Sequence, residues 1–434
     1  MGNDLRLNYK RTFFIGLAFL SISAFWQLYN NIVPLILKET FHMGETQTGM
    51  IMAADNVLAL FLLPLFGALS DKTNSKFGKR TPFIVCGTIV SVIFMLFIPV
   101  ADQQKNIILF IISLGIVLLA MGSYRSPAVA LMPDLTPKPL RSQANAVINL
   151  MGAVGGIITL LFIKFLTPKE EHPNYFGIYL SVAGIMVFAV IVLIVFIREN
   201  KLLEETKKYN MDENTRTMHV DDSKEELSSG MSKSVRRSLV LLLASIFLWF
   251  TAYNAVTTAF SRYAKEVWNM QAGGFANCLL VATGAAIISY IPIGFIATRF
   301  GRKKTIIGGI LLITLSYFMG CFFLEYSSFI NFVFALTGIG WAAINVNSYP
   351  MVVEMSKGSD VGKYTGLYYI ISMTAQIITP ILSGFLLEQI SYRVLFPYAV
   401  SFSVASLFTM IFVKHGDSKP VKKEKILDNF SDID

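Results

Sequence analysis

The strongest constraint on this chain is a series of twelve apolar runs of about 20 residues or more, each long enough to cross roughly 30 Å of hydrocarbon. Inside a bilayer the backbone must satisfy its own N–H and C=O groups, so such runs fold as helices. The runs predict helices I to XII over 12–37, 46–70, 82–101, 106–132, 142–166, 176–197, 237–261, 273–298, 305–324, 328–353, 363–387 and 393–413. Composition agrees. Charged residues make up 15% of the chain, against about 25% in a soluble domain.

A short charged signature occurs twice, each time after the second helix of a set of six. The first copy is Gly67-Ala68-Leu69-Ser70-Asp71-Lys72, then Lys76-Phe77-Gly78-Lys79-Arg80. The second runs from Gly294 to Thr298, then Arg299-Phe300-Gly301-Arg302-Lys303-Lys304. The expected fold is an all-α membrane protein, with twelve transmembrane helices in two pseudo-symmetric six-helix bundles. Residues 1–197 form the first bundle, 198–236 a polar linker, 237–413 the second bundle and 414–434 a charged tail. A duplicated bundle of this kind points to a secondary transporter.

The formal net charge of +9 does not imply a nucleic-acid partner. Of 37 Lys and Arg residues, 29 fall in the termini, the linker and the loops on their side, and 7 on the other side. That bias places both termini in the cytoplasm of a multi-pass plasma-membrane protein. Cys86, Cys278 and Cys321 sit in apolar runs, and four histidines form no cluster, so neither a disulfide frame nor a metal site is expected. No nucleophile–base arrangement marks an enzyme. No Gly-x-x-x-x-Gly-Lys-Ser/Thr loop marks a nucleotide-driven pump.

The repeat continues beyond the signature. Helix IV ends at Asp134 with Arg141 before helix V; helix X ends at Glu354 with Lys363 before helix XI. An acid at a helix C-terminus opposes the helix dipole and is better placed as a partner for neighbouring cations. Asp71, Arg80, Asp134 and Arg141, with Lys79, are therefore expected to form a cytoplasmic gate, matched by Arg299, Arg302, Glu354 and Lys363. Ordinary interfacial charge is the alternative.

The architecture resembles the major facilitator superfamily along the whole chain. More narrowly, the stretch from Ser70 to Ile84, containing Gly78-Lys79-Arg80-Thr81-Pro82-Phe83, resembles the II–III loop of the sucrose:proton symporters and their bacterial relatives. These stand with the glycoside-pentoside-hexuronide:cation symporters. Pro127-Ala128-Val129-Ala130-Leu131-Met132-Pro133-Asp134-Leu135, Ala144-Asn145-Ala146 and Phe25-Trp26-Gln27-Leu28 carry the same likeness, over residues 25–156. The resemblance implies a cation-coupled carrier of a sucrose-like glycoside, working as a monomer with no cofactor beyond a coupling proton or sodium. The sequence departs where such carriers hold a carboxylate inside helix IV, because Gly115–Ser123 contains none. Their arginine position is Val129 here, and Arg125 stands one turn earlier.

Deep charges are costly in a bilayer, so each is a candidate functional group. Asp55 in helix II, beside Asn56, is the candidate coupling site for a proton or sodium, and Arg125 its candidate partner or a sugar ligand. A structural Asp–Arg bridge is the alternative. Candidate substrate contacts are Trp26, Gln27 and Asn30 in helix I, Asn145 and Asn149 in helix V, Tyr253 and Asn254 in helix VII, Trp341 and Asn345 in helix X, Gln376 in helix XI, and Arg125. Amides read hydroxyls and indole rings pack on a pyranose face; the same residues can also bond helix to helix. Arg262 and Lys164 read as snorkelling interfacial bases, and Glu388 as a gate partner on the outer side. Rival readings are a carrier of another solute (drug, lipid or amino acid) and a non-transporting sensor on the same fold.

Overall fold

The computed structural model describes residues 7–137, 140–170, 172–206, 232–270, 273–355 and 361–417. The first six long helices are α1 (Tyr9–Glu39), α2 (Glu45–Lys72), α3 (Thr81–Gln103), α4 (Ile107–Leu135), α5 (Arg141–Leu166) and α6 (Phe176–Phe196). The second six are α7 (Lys233–Trp268), α8 (Ala276–Phe300), α9 (Arg302–Gly320), α10 (Phe329–Glu354), α11 (Val361–Gln389) and α12 (Leu395–Ile411). All twelve contain a stretch long and apolar enough to cross a membrane.

The helices overrun several of the apolar runs because polar turns at the interface continue the same hydrogen-bond ladder. α7 is the clearest case. It starts at Lys233, where the Ser232 hydroxyl accepts from the Val235 amide, and ends at Trp268 with Asn269 in the left-handed region at φ 50°. The segment expected as linker also holds a helix at 199–206, whose first residue, Glu199, is 1% exposed. The central part of that linker lies outside the described residues, as does 418–434 of the tail.

Packing repeats with a shift of six helices. In the first half α1 packs on α5 and α6, α3 on α4 and α6, and α2 on α4. In the second half α7 packs on α11 and α12, α9 on α10 and α12, and α8 on α10. Small residues set the closest approaches: a methyl added at Gly155 would lie 2.2 Å from the Leu20 carbonyl oxygen, between α5 and α1. The outward faces carry apolar side chains such as Phe61, Phe188 and Ile288, each more than half exposed, as a lipid-facing surface requires. The halves meet through α2 against α11, α5 against α8 and α1 against α7. The face that holds the start of α1 and the end of α12 is called the terminal face below, and the opposite one the far face.

Candidate binding cavity and its gates

Between the halves lies a cavity of about 310 Å³. Gln27, Asn30 and Asn31 enter it from α1, and Tyr253, Asn254 and Thr257 from α7. Thr283 and Tyr290 come from α8, Tyr317 from α9, and Thr337 and Trp341 from α10. Among the described residues, no ionised side chain lines it. Trp341 stacks on Tyr253 with ring centroids 3.7 Å apart and planes 5° off parallel. The Asn254 amide donates to the Phe250 carbonyl at 2.8 Å. That bond uses one of the two N–H donors of its amide.

Five of the sequence candidates therefore come together: Gln27, Asn30, Tyr253, Asn254 and Trp341. The others do not line this cavity. Asn145 and Asn149 are exposed on α5, and Asn345 is exposed on α10 one turn beyond Trp341. Gln376 is half-buried and turns its amide back to the Ser372 carbonyl at 3.3 Å. Trp26 packs edge-on against Phe25 and Tyr29 at 5.0 and 5.4 Å.

The deep charges form a second cluster, in the first half. Asp55 is half-buried and accepts from the Asn56 amide at 2.8 Å. Arg125 lies over the Trp26 ring, 5.7 Å from its centroid. Asp55 and Arg125 are within electrostatic reach of each other, but no ion pair of 4.0 Å or less joins them. Tyr369 of α11 is also in Coulombic range of Arg125.

The far face is closed by groups that bond one half to the other. The Arg262 Nε of α7 lies 2.8 Å from the Glu45 carboxylate of α2, with side chains 4% and 5% exposed. Tyr392 donates its hydroxyl to Glu45, and Lys38 of α1 lies 3.6 Å from it and 2.9 Å from Glu266. Lys265 pairs with Glu39 at 2.6 Å. Glu388 of α11 accepts from the Thr46 amide and hydroxyl at 2.8 and 2.6 Å. Lys164 of α5 donates to Asn277 of α8 at 3.1 Å. At the α2–α11 crossing the backbones nearly touch: a methyl on Gly49 would sit 2.1 Å from the Pro380 oxygen.

Two expectations need correction here. Arg262 does not snorkel to the lipid interface, because a buried carboxylate on the opposing half offers it a charge-assisted bond. Lys164 is likewise turned across the seam, toward Asn277. The sequence reading missed Glu45, Lys38, Glu39, Lys265, Glu266 and Tyr392 altogether. Their signal was present as acids and bases placed together at the far ends of the helices that meet in the seam.

At the terminal face the charges stay within their own half. Arg80 bonds Asp134 at 2.9 Å and also Asp71, while Lys79 reaches Asp134 at 2.9 Å and Asp71 at 3.8 Å. Arg302 pairs with Glu354 in the second half. Arg141 stands apart from the expected network: its Nε donates to the Thr136 carbonyl at 3.2 Å, closing the connection between α4 and α5. Arg299 lies 5.5 Å from the Phe300 ring. The Lys363 side chain lies outside the described residues.

Each half adds a clasp that the sequence did not announce. Glu199, just beyond α6, accepts from the backbone amides of Lys79, Arg80 and Thr81 at 2.8–3.1 Å, and from the Thr81 hydroxyl at 2.7 Å. These are the unpaired donors at the start of α3. Asp417, just beyond α12, accepts from the Lys303 amide at 3.3 Å at the start of α9. The carboxylates approach Gly78 and Gly301, whose φ values of 116° and 93° favour glycine.

Residues 15–289 and 278–430 match the Major Facilitator Superfamily. Curated relatives include a probable nitrate transporter of Staphylococcus epidermidis, 26% identical over 46% of this chain and 47% of its own length. The sucrose transport protein SUC4 of Arabidopsis thaliana is 32% identical over 31% and 29%. A glycine betaine/proline/ectoine/pipecolic acid transporter of Dickeya dadantii is 27% identical over 40% and 34%. The chain thus spans less than half the length of the curated relatives it matches. Among solved structures, the xylose transporter XylE from E. coli aligns with a TM-score of 0.67 at 13% identity, over 96% of this chain and 97% of that one. The nucleoside transporter NupG aligns with a TM-score of 0.67 at 14% identity, over 94% and 100%. With its repeated halves, its inter-bundle cavity and a family match along nearly its whole length, this chain belongs to the Major Facilitator Superfamily.

Proposed function

We propose that this secondary transporter carries a neutral sugar or glycoside of sucrose-like size, driven by a coupled cation, with the proton favoured over sodium. The observation that carries the reading is the cavity's lining. It offers amides, hydroxyls and one stacked Tyr–Trp pair, and no ionised group. Such a wall suits a ligand rich in hydroxyls with one apolar ring face. A volume of about 310 Å³ lies at the small end of ligand sites and fits a small glycoside. The likeness to plant sucrose carriers supports the same class. A nitrate carrier needs a cationic pocket, which this lining does not offer.

Ion coupling is assigned to the separate cluster in the first half. Asp55, about 15 Å along α2 from its far end, binds the proton or sodium with help from Asn56. Arg125 answers the change in charge. The loops rich in Lys and Arg are assigned to the cytoplasm, which makes the terminal face the inner one of what we take to be the plasma membrane. The protein functions as a monomer.

The reading is tested by uptake of labelled sucrose into proteoliposomes under an imposed proton or sodium gradient. Wild type should concentrate the sugar. Asp55→Asn should lose accumulation while keeping sugar exchange. Undiminished accumulation in Asp55→Asn would remove that residue from the coupling step.

A further inference from the structure

Two of the cavity's polar groups are left without partners. Asn31 of α1 is 1% exposed and donates its amide to the Gln27 carbonyl at 2.8 Å. Its other terminal atom, Oδ1, is buried and has no hydrogen bond among the described residues. Tyr317 of α9 is also 1% exposed, and its hydroxyl is likewise buried and unpaired. Both residues line the same cavity, one from each half. A buried polar group without a partner is destabilising, and most such groups in native proteins are satisfied. These two line one cavity, one from each half, where a ligand could complete their bonding.

We infer that Asn31 Oδ1 and the Tyr317 hydroxyl are substrate contacts, and that the substrate must present a hydrogen-bond donor to Asn31. The chemistry follows from the atoms. One N–H of the Asn31 amide is committed to Gln27, and the unpaired Oδ1 only accepts. Tyr317 can donate or accept. A ligand bridging the two therefore needs at least one O–H or N–H. Polyols, sugars and nucleosides meet that condition. Nitrate and glycine betaine, which carry no O–H or N–H, do not. Because α1 and α9 belong to different halves, the ligand also bonds one bundle to the other, and so binds most tightly when the bundles are close around it.

The inference deepens the sugar reading and rests on the same cavity. Its test is equilibrium binding of labelled sucrose, glycine betaine and nitrate to purified wild type, Asn31→Leu and Tyr317→Phe, with melting temperature followed in parallel. Tyr317→Phe removes only the unpaired hydroxyl, whereas Asn31→Leu, close in shape, also gives up the bond to the Gln27 carbonyl. Thermal stability without ligand should hold or rise in Tyr317→Phe, while sucrose affinity falls roughly fivefold to tenfold in each variant. A purely structural role predicts the opposite pair of results. Sucrose bound equally by all three proteins overturns the inference and leaves the sugar reading standing. Binding of nitrate or glycine betaine in place of sucrose overturns both.

Discussion

The Glu45–Arg262 pair joins α2 to α7 across the seam, whereas Arg80, Asp71 and Asp134 bind α2, α3 and α4 to one another within a single half. The contrast extends to both whole faces. Among the described residues, the side-chain hydrogen bonds and ion pairs that cross between halves lie at the far face. At the terminal face the charges brace each bundle separately, and Tyr369, Asn145 and Asn149 stand exposed on the inner parts of their helices. The difference bears on which way the carrier faces: among the described residues, the far face is bonded across the seam and the terminal face is not. It also separates two jobs that charged clusters perform. On the proposed transport cycle, far-face charges would set the state and terminal-face charges would keep each bundle rigid.

The largest expected effect comes from breaking the buried pair. Arg262→Ala leaves Glu45 buried without its closest cation, which should cost this state about 3 to 5 kcal/mol. The population should shift toward a far-open form. Spin labels at Lys105 and Ser327, exposed in far-face loops of the two halves, should report a longer distance. An unchanged distance would show that the pair does not hold the seam.

Gly49 and Gly155 sharpen the comparison. An added methyl meets a backbone oxygen at 2.1 Å in one case and 2.2 Å in the other. Gly49 faces the other half, and Gly155 faces its own. Gly49→Ala should therefore lengthen the same spin-label distance, while Gly155→Ala should lower the melting temperature and leave that distance alone. Equal behaviour of the two variants would contradict the division between state and rigidity.

The clasps should show smaller effects. Glu199→Ala removes an acceptor shared by three backbone amides at the start of α3, a loss of about 1 to 3 kcal/mol in stability. Asp417→Ala loses a single bond at 3.3 Å and should lower the melting temperature less. Thermal unfolding of the two variants side by side checks the order.

The fold was legible because hydrocarbon thickness and backbone satisfaction leave few options, and the repeat at Asp71 and Arg299 marks the same two sets of six helices in which the packing repeats. Half of the cavity was legible too, since Trp341 and Tyr253 carry polar aromatic faces at helical spacing. Asn31 and Tyr317 escaped notice. Tyr317 lies in an apolar run whose inward face only packing reveals, and Asn31 is a neighbour of Asn30 pointing a third of a turn away. Arg262 was misread for a related reason. A base at a helix end looks interfacial until the opposing half supplies Glu45. Contacts between bundles leave no periodic trace in either one, so the seam was the least readable part of the molecule.

The central claim is one cavity reached from one face at a time, and sidedness of access tests it most directly. Cys86, Cys278 and Cys321 are replaced, and a single cysteine is placed at Asn30, which lines the cavity. A membrane-impermeant thiol reagent is then added from either side of oriented vesicles. In an otherwise unaltered protein the cysteine should react from the terminal face and stay protected from the far face. Combined with Arg262→Ala, far-face reactivity should rise. Rapid labelling from the far face without that substitution would contradict the account.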